Sequence, residues 1–229
     1  MQETSGAGDR AVKAVLFDMD NTLWDFVAAK RAACRAVVDH AGAGDAEALY
    51  AYFRRPGVGF EDPSNVIEYL LDIGADRSCV MPCCKVYEKA KIAAIRPYPG
   101  VRETLDALAS ADLSLAVVTD AHSSQARARL RKAGIDDLFS CVVTPDISGQ
   151  RKPDPASFLH ALSTLSASPS DAMVVGDSIR REIEPGRTLG MRTAYALYGD
   201  QSDGPVSLGS RPDYVLGSIR DLIAIIGIS

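Results

Sequence analysis

Two hydrophobic patterns divide the chain. Near the start and again from residue 101 onward, short apolar runs occur, and in the later part they alternate with stretches whose apolar residues recur at helical spacing. The spacing predicts, in order, strand 12–17, helix 101–110, strand 113–118, helix 124–133, strand 141–144, helix 155–166, strand 172–175, helix 179–189 and strand 192–197. Such alternation indicates crossover units and a parallel sheet.

The second pattern fills residues 25–96 and is mostly helical. Apolar residues recur there at helical spacing over 26–40, 46–53, 66–73 and 80–95. A pair of prolines around Tyr98 marks the return to the first pattern, because proline cannot continue a helix. We therefore predict an α/β fold. It has a three-layer α/β/α Rossmann-like core with a parallel sheet, formed by residues 1–24 and 97–229, and a small α-helical cap domain formed by residues 25–96.

Charge and hydropathy limit the partners of the protein. The 229 residues carry a formal net charge of -5, which provides no basic field for nucleic acid or anionic lipid. No stretch approaches the roughly 18 consecutive apolar residues of a membrane span, and residues 1–10 lack the apolar centre of a signal peptide. We expect a cytoplasmic monomer or homodimer that binds a small solute, with no nucleic acid or membrane partner.

The chain contains five cysteines, an odd number in a chain too large to need disulfide stapling. Cys79, Cys83 and Cys84 cluster in the sequence, but no histidine lies near them and a fourth metal ligand would have to come from elsewhere. We expect these side chains to pack as small apolar groups.

Acidic residues directly follow the first predicted strand. Asp18 and Asp20 stand there with Thr22 close behind, at the end of the strand where open α/β sheets place their chemistry. Further polar segments follow later strands in order: Thr119-Asp120, then Lys152-Pro153, then Gly176-Asp177-Ser178 with Glu182. Together the segments predict a phosphate site with a metal.

These four segments resemble the four motifs of the haloacid dehalogenase-like superfamily, whose commonest members are magnesium-dependent phosphatases. The resemblance spans the whole predicted core. The helical insertion between the first and second motifs is similar to the small cap of one subfamily. The resemblance implies a Mg²⁺-dependent phosphatase that acts on a small phosphorylated metabolite.

The paired carboxylates suit covalent phosphoryl transfer. Asp18, closest to the strand, is the expected nucleophile, because a carboxylate that attacks phosphorus splits hydrolysis into formation and breakdown of an aspartyl phosphate. Asp20 is expected to protonate the leaving oxygen and later to take a proton from water.

Two carboxylates would repel a phosphate dianion, so the site requires cations. Mg²⁺ prefers oxygen ligands, which suits one oxygen of Asp18, the backbone carbonyl of Asp20 and Asp177, and we expect Glu182 to support that metal shell. Lys152 is expected to offset charge on the transferring phosphoryl group. The hydroxyl of Thr119 and the next backbone N–H groups are expected to bind phosphoryl oxygens.

The chain departs from the commoner family pattern at two positions. Asp120 stands where asparagine is frequent, and we expect its carboxylate to turn away from the phosphate and to cap the following helix. Glu182 stands where aspartate is frequent, and its extra methylene puts direct metal ligation in question.

Asp20 discriminates among the reactions of the superfamily. Dehalogenases and phosphonate-cleaving members lack an aspartate at this position, whereas phosphatases and phosphomutases retain it. A phosphomutase and a non-catalytic phosphate-binding regulatory protein remain the alternatives to a phosphatase. Selectivity would reside in the cap, and the candidate substrate-binding residues are Trp24, at the end of the first core segment, and Arg54 and Arg55 of the cap.

Overall fold

The computed structural model describes residues 11–201 and 211–228. Residues 1–10, whose polar sequence bears on the signal-peptide prediction, lie outside the described residues. The chain forms two compact units. We call them the core unit, which runs up to Trp24 and resumes at Pro97, and the helical unit, Asp25–Arg96. These are the positions at which the sequence divides core from cap; the role of a cap stays a prediction.

The helical unit packs helices around an apolar interior. Its helices are α1 (Phe26–Ala41), α2 (Ala46–Tyr52), α3 (Ser64–Asp72) and α4 (Arg77–Ala93). Asp25 and Asp45 begin α1 and α2 as N-caps, each accepting a hydrogen bond from a backbone N–H of the first turn. The buried cluster between the helices includes Cys83, with Cys79 and Cys84 packed against it.

The cysteines behave as small apolar groups. Burial raises the pKa of Cys83 to about 11, which disfavours the thiolate that metal binding and redox chemistry require. Within residues 11–201 and 211–228, no cluster of three or more histidine, cysteine, aspartate or glutamate side chains is arranged to hold a metal ion.

The core unit is built on a six-stranded sheet in the order β3-β2-β1-β4-β5-β6, with every neighbouring pair parallel. The strands are β1 (Ala14–Phe17), β2 (Ser114–Val118), β3 (Cys141–Val143), β4 (Ala172–Gly176), β5 (Arg192–Ala196) and β6 (Tyr214–Leu216). The strand order reverses at β1, between β2 and β4, and such a switch point is where open α/β sheets bind ligands. The predicted α/β fold is confirmed.

The helices of the core unit are α5 (Val101–Ser110), α6 (Ser123–Ala133), α7 (Pro145–Ser148), α8 (Ala156–Thr164), α9 (Glu184–Leu189) and α10 (Asp221–Ile226). The single helix predicted over 179–189 is instead a π-helical turn, Ile179–Ile183, followed by α9. Pro185 lies in the first turn of α9 and cannot donate a backbone hydrogen bond, which interrupts a continuous α-helical ladder.

The sixth strand is absent from the sequence prediction. Of its three residues only Leu216 is buried, and Val215 is 55% exposed. An apolar run of only three residues is too short to predict a strand. In the part of the chain that the structure describes, no helix combines the length and apolarity needed to cross a bilayer.

Candidate active site

The register of the sheet brings the first, second and fourth motifs to one edge. Phe17 pairs with Val117 of β2 and with Val175 of β4. The residues that follow these strands therefore lie side by side at the carboxyl ends, and the Asp18 backbone N–H donates to Val175 O at 2.8 Å. Asp18, Thr119 and Asp177 are all nearly buried there.

A tight turn after β1 carries Asp20. Asn21 adopts a left-handed conformation with φ of 65°, and its N–H donates to Trp24 O at 2.8 Å. The loop after β5 fastens this turn, because the Tyr198 hydroxyl donates to Thr22 O at 2.8 Å. Gly199 lies so close that a β-carbon there would overlap Asn21 O, so only glycine fits. The position of Asp20 is thus set by two strand-end loops.

Each oxygen of the Asp18 carboxylate has its own donor. The Thr22 hydroxyl donates to Oδ2 at 3.0 Å, and the Lys152 ammonium donates to Oδ1. Lys152 Nζ also donates to Val118 O at 3.0 Å. The candidate nucleophile is therefore held in one orientation with a cation on one oxygen.

Glu182 supports Lys152. Its Oε1 forms an ion pair with Lys152 Nζ at 2.8 Å, and its Oε2 accepts from the Ser178 N–H at 3.0 Å. Burial by itself would lower the pKa of Lys152, but Asp18 and Glu182 outweigh it and raise that pKa above its usual range. The ammonium therefore stays charged against the nucleophile.

The role predicted for Glu182 at the metal stays a prediction. Its Oε1 pairs with Lys152 but has no hydrogen-bond partner among the described residues, whereas its Oε2 accepts from the Ser178 N–H. A β-carbon on Gly176 would overlap Glu182 Cγ, so this glycine makes room for the longer side chain. The extra methylene of Glu182, relative to the aspartate that is frequent in the family, is thus accommodated by the absence of a side chain at Gly176.

Asp177 is the carboxylate that most needs a cation. It is 6% exposed, and its buried Oδ1 has no hydrogen-bond partner among the described residues. Burial, with Asp18 and Glu182 nearby, raises its pKa to about 8. The ion pair with Arg181 is long, at 3.6 Å. A divalent cation would relieve this charge, so the donor set of Asp18, Asp177 and the Asp20 carbonyl fits Mg²⁺.

The Asp120 carboxylate contacts the third motif instead of the helix that follows it. Its Oδ1 accepts from the Lys152 backbone N–H at 2.9 Å, and Arg181 lies 3.9 Å from its Oδ2. The expectation that Asp120 caps the following helix is wrong, because His122 caps α6 by accepting from the Ser124 N–H. The carboxylate instead ties the second motif to the third.

The Thr119 hydroxyl retains a proton to donate. Its Oγ1 accepts from the Ala121 N–H at 3.2 Å, while the Thr119 backbone N–H is taken by Val143 O. A hydroxyl that accepts one hydrogen bond can still donate its own proton, here to a phosphoryl oxygen. The Thr119 hydroxyl is therefore placed to bind phosphate as predicted. The Ala121 N–H, one of the backbone groups predicted to bind phosphate, already donates to Thr119 Oγ1.

Trp24 does not fit the substrate-binding role predicted for it. The indole is fully buried, and its Nε1 donates to Asp20 Oδ1 at 2.9 Å. Arg129 of α6 forms an ion pair with the other oxygen of Asp20, at 2.5 Å. Trp24 therefore positions the candidate acid and has no exposed surface with which to bind a substrate.

Sequence reasoning missed two cations at this edge, Arg129 and Arg181. A signal for Arg129 does exist, since α6 buries Ala126, Arg129 and Leu130 at helical spacing. An arginine in the middle of an apolar stripe indicates a buried partner.

The arginines predicted to bind substrate lie in the helical unit. Arg54 is exposed. The Arg55 guanidinium lies 4.0 Å from the centroid of the Tyr52 ring and forms an ion pair with Glu68 at 2.7 Å. Arg55 is thus engaged within its own unit, and a role of Arg54 in binding stays a prediction.

Comparisons with known proteins identify the family. Residues 12–190 match the model of the haloacid dehalogenase-like hydrolase family. Glyceraldehyde 3-phosphate phosphatase of Pyrococcus furiosus is 25% identical, covering 95% of this chain and 94% of the relative. N-acetylmuramic acid 6-phosphate phosphatase of Pseudomonas aeruginosa is 32% identical, covering 94% and 95%.

A solved structure shows the same fold. A proposed HAD hydrolase from Bacillus subtilis, crystallised with magnesium, matches with a TM-score of 0.75 at 20% identity, over 96% of this chain and 100% of that chain. The family match covers most of the sequence, all four motif segments converge on one sheet edge, and the named relatives are phosphatases. This chain belongs to the haloacid dehalogenase-like hydrolase family, as an enzyme of phosphatase type.

Proposed function

We propose that the protein is a Mg²⁺-dependent phosphatase that hydrolyses a small phosphorylated metabolite through a covalent aspartyl phosphate. The observation that carries the proposal is the convergence of Asp18, Asp20, Lys152 and Asp177 at the carboxyl edge of the central strands. It includes both the nucleophile that the covalent route needs and the acid that an oxygen leaving group needs.

In the first step an oxygen of Asp18 attacks phosphorus, and the bond from phosphorus to the leaving oxygen breaks. Asp20 gives its proton to that oxygen, which departs as an alcohol. In the second step water attacks the aspartyl phosphate, and Asp20 takes the proton of that water. Asp18 is then restored and inorganic phosphate is released, so the protons balance over the cycle.

Further residues would stabilise the negative charge on the phosphoryl group. Lys152 offsets negative charge on the Asp18 side of the phosphoryl group, and the Thr119 hydroxyl donates to a phosphoryl oxygen. Asp18, Asp177 and the backbone carbonyl of Asp20 would hold Mg²⁺, which when bound supplies positive charge that offsets the carboxylates and the phosphate dianion.

The identity of the substrate belongs to the proposal. The two relatives are named for phosphates of different size, a triose phosphate and an amino-sugar acid phosphate. A phosphorylated small metabolite is what they share. We propose that the helical unit selects among such substrates, with exposed Arg54 as the candidate contact.

Phosphate release from an aryl phosphate, with Mg²⁺ or with a chelator, tests the proposal. Parent enzyme should release phosphate only with the metal. Asp18→Asn should abolish release while remaining folded by circular dichroism, because an amide cannot supply the nucleophilic oxygen. Asp136→Asn is the matched control, since that aspartate pairs with Arg127 of α6 rather than with a site residue. Turnover by folded Asp18→Asn near the parent rate would contradict the covalent route.

Two alternatives make different predictions in the same assay. A non-catalytic phosphate-binding protein would show no metal-dependent release. A phosphomutase would interconvert isomers of a sugar phosphate with little release of inorganic phosphate. A screen over phosphorylated sugars, trioses, glycolate, nucleotides and amino acids, repeated with Arg54→Ala, would identify the substrate and test the selecting residue.

A further inference from the structure

Arg129 is the most deeply buried charged group next to the proposed acid. Its side chain has no exposed surface, although it lies on an 11-residue helix whose other cations are at least partly exposed. The guanidinium reaches Asp20 Oδ2 at 2.5 Å across 109 residues of sequence. Burial of a guanidinium is costly unless a carboxylate accompanies it, so this position is built around the pair.

The Asp20 carboxylate is held from two sides. Trp24 donates to Oδ1 and Arg129 donates to Oδ2. The two donors lie on different elements, since Trp24 ends the turn after β1 and Arg129 belongs to α6, which begins just after the second motif. Together they fix both oxygens, so the carboxylate is confined to one rotamer.

We infer that Arg129 is a positioning residue for catalysis, which holds the Asp20 carboxylate in the orientation from which it transfers protons. The inference rests on the proposed function, because it assigns Arg129 to the acid of that mechanism. It also explains why the helix after the second motif carries an arginine within its apolar stripe. A misplacement of about 1 Å in a catalytic group can cost on the order of 100-fold in rate.

The first test compares Arg129→Met, Arg129→Lys and Arg127→Met. Arg127 is the matched control because it lies on α6 and pairs with Asp136 at 2.8 Å. Arg129→Met should lower kcat by about 10- to 100-fold, with smaller changes in KM and in magnesium requirement. The loss should be larger for an alkyl phosphate than for an aryl phosphate, since a poor leaving group needs the acid. Arg129→Lys should recover part of kcat, and Arg127→Met should match the parent.

The second test is a double-mutant cycle with Asp20→Asn. If Arg129 acts through Asp20, adding Arg129→Met to Asp20→Asn should lower the remaining aryl phosphatase rate by less than about 2-fold. If Arg129 only stabilises the fold, the two losses should multiply. Multiplying losses would overturn the inference.

The third test needs no turnover. The chain contains one tryptophan, Trp24, and its indole N–H donates to Asp20 Oδ1. Its fluorescence therefore reports on the carboxylate that Arg129 holds. Arg129→Met and Arg129→Lys should shift the emission in the folded protein, and Arg127→Met should not.

The outcomes separate this inference from the proposed function. Parent enzyme without metal-dependent phosphate release would overturn both. An active parent with Arg129→Met and Arg129→Lys equal to Arg127→Met in kcat and in Trp24 emission would overturn the inference alone. If Arg129→Met fails to fold, Arg129→Lys decides: a lower kcat with an altered alkyl-to-aryl ratio supports positioning, and an unchanged ratio contradicts it.

Discussion

The core unit and the helical unit both bury lysine side chains, but the groups that contact these lysines differ between the two units. In the helical unit, Lys30 Nζ lies 3.8 Å from the ring centroids of both Phe53 and Phe60 and donates to Phe60 O. Lys91 pairs with Glu61 at 3.3 Å and with Glu88 at 2.9 Å. Both lysines thus hold the segment between α2 and α3, at residues 60 and 61.

In the core unit the buried charges do not balance within the site. Lys152 lies between Asp18 and Glu182, while Asp177 adds a further buried carboxylate. Arg181 approaches Asp177 only to 3.6 Å. The comparison teaches that a buried lysine by itself indicates neither structure nor catalysis. An excess of buried carboxyl groups over buried cations at a strand edge is what distinguishes the candidate active site.

The largest effect that sharpens this comparison is expected from Lys152→Met. Loss of the cation on Asp18 should lower kcat by about 10²- to 10³-fold, because preorganised charge at the reacting group is removed. Lys13→Met is the control, since that lysine forms an exposed ion pair with Asp171 at 3.0 Å in the same unit. Steady-state phosphate release measures both. A Lys152→Met rate close to that of Lys13→Met would show that the buried lysine is structural in the core as well.

A smaller effect is expected from Glu182→Gln. Because Glu182 contacts Lys152 and Ser178, its loss should lower kcat by about 10- to 100-fold with little change in the magnesium midpoint. Asp177→Asn should instead raise the magnesium requirement, because it removes a charged ligand. Magnesium titration of activity compares the two. A larger shift in the magnesium midpoint for Glu182→Gln than for Asp177→Asn would show that Glu182 contributes more to metal binding.

Asp177 also makes a prediction about stability. Its pKa is raised from the ordinary value of 3.8 to about 8 in the folded protein, mainly by burial. Between these values the folded state holds a proton that the unfolded state releases, so stability without metal should fall as pH rises from about 4 to about 8. Asp177→Asn lacks this loss.

In a chelator at pH 8, Asp177→Asn should therefore be more stable than the parent, by at least about 1 kcal/mol, since each pKa unit corresponds to about 1.4 kcal/mol. The difference should vanish near pH 4. Thermal unfolding across this pH range measures it. A constant difference at all pH values would mean that the carboxylate of Asp177 is not strained by burial.

The sequence predicts the core better than the details of its charges. Asp18, Thr119 and Asp177 could be placed together because parallel strands end at one edge, and that rule needs only the strand positions. The π-helical turn at Ile179–Ile183 and strand β6 were missed, since a three-residue edge strand and a local change of helical pitch leave no periodic trace. The contact of Trp24 with Asp20 depends on the backbone of a tight turn, which periodicity does not describe.

The sequence pattern also failed to predict the buried cations within helices. Lys30, Lys91 and Arg129 all lie on helices and have almost no exposed surface. A helical pattern treats lysine and arginine as solvated, since their partners come from distant segments that the pattern cannot locate. By contrast, Lys152 was identified because Lys152-Pro153 is one of the four segments that resemble the family motifs.

The smallest effect is expected from Lys30→Met in the helical unit. Methionine fills a similar volume and avoids the cost of burying a charge, whereas it loses a cation–π contact of about 0.5–2 kcal/mol. These effects oppose each other, so the free energy of unfolding should change by less than about 1 kcal/mol. Lys30→Ala, which also leaves a cavity, should cost about 2–5 kcal/mol. Urea denaturation followed by far-ultraviolet circular dichroism measures both variants. If Lys30→Met proves as destabilising as Lys30→Ala, the charge itself is required between the phenylalanine rings, and the distinction drawn between the buried lysines of the two units fails.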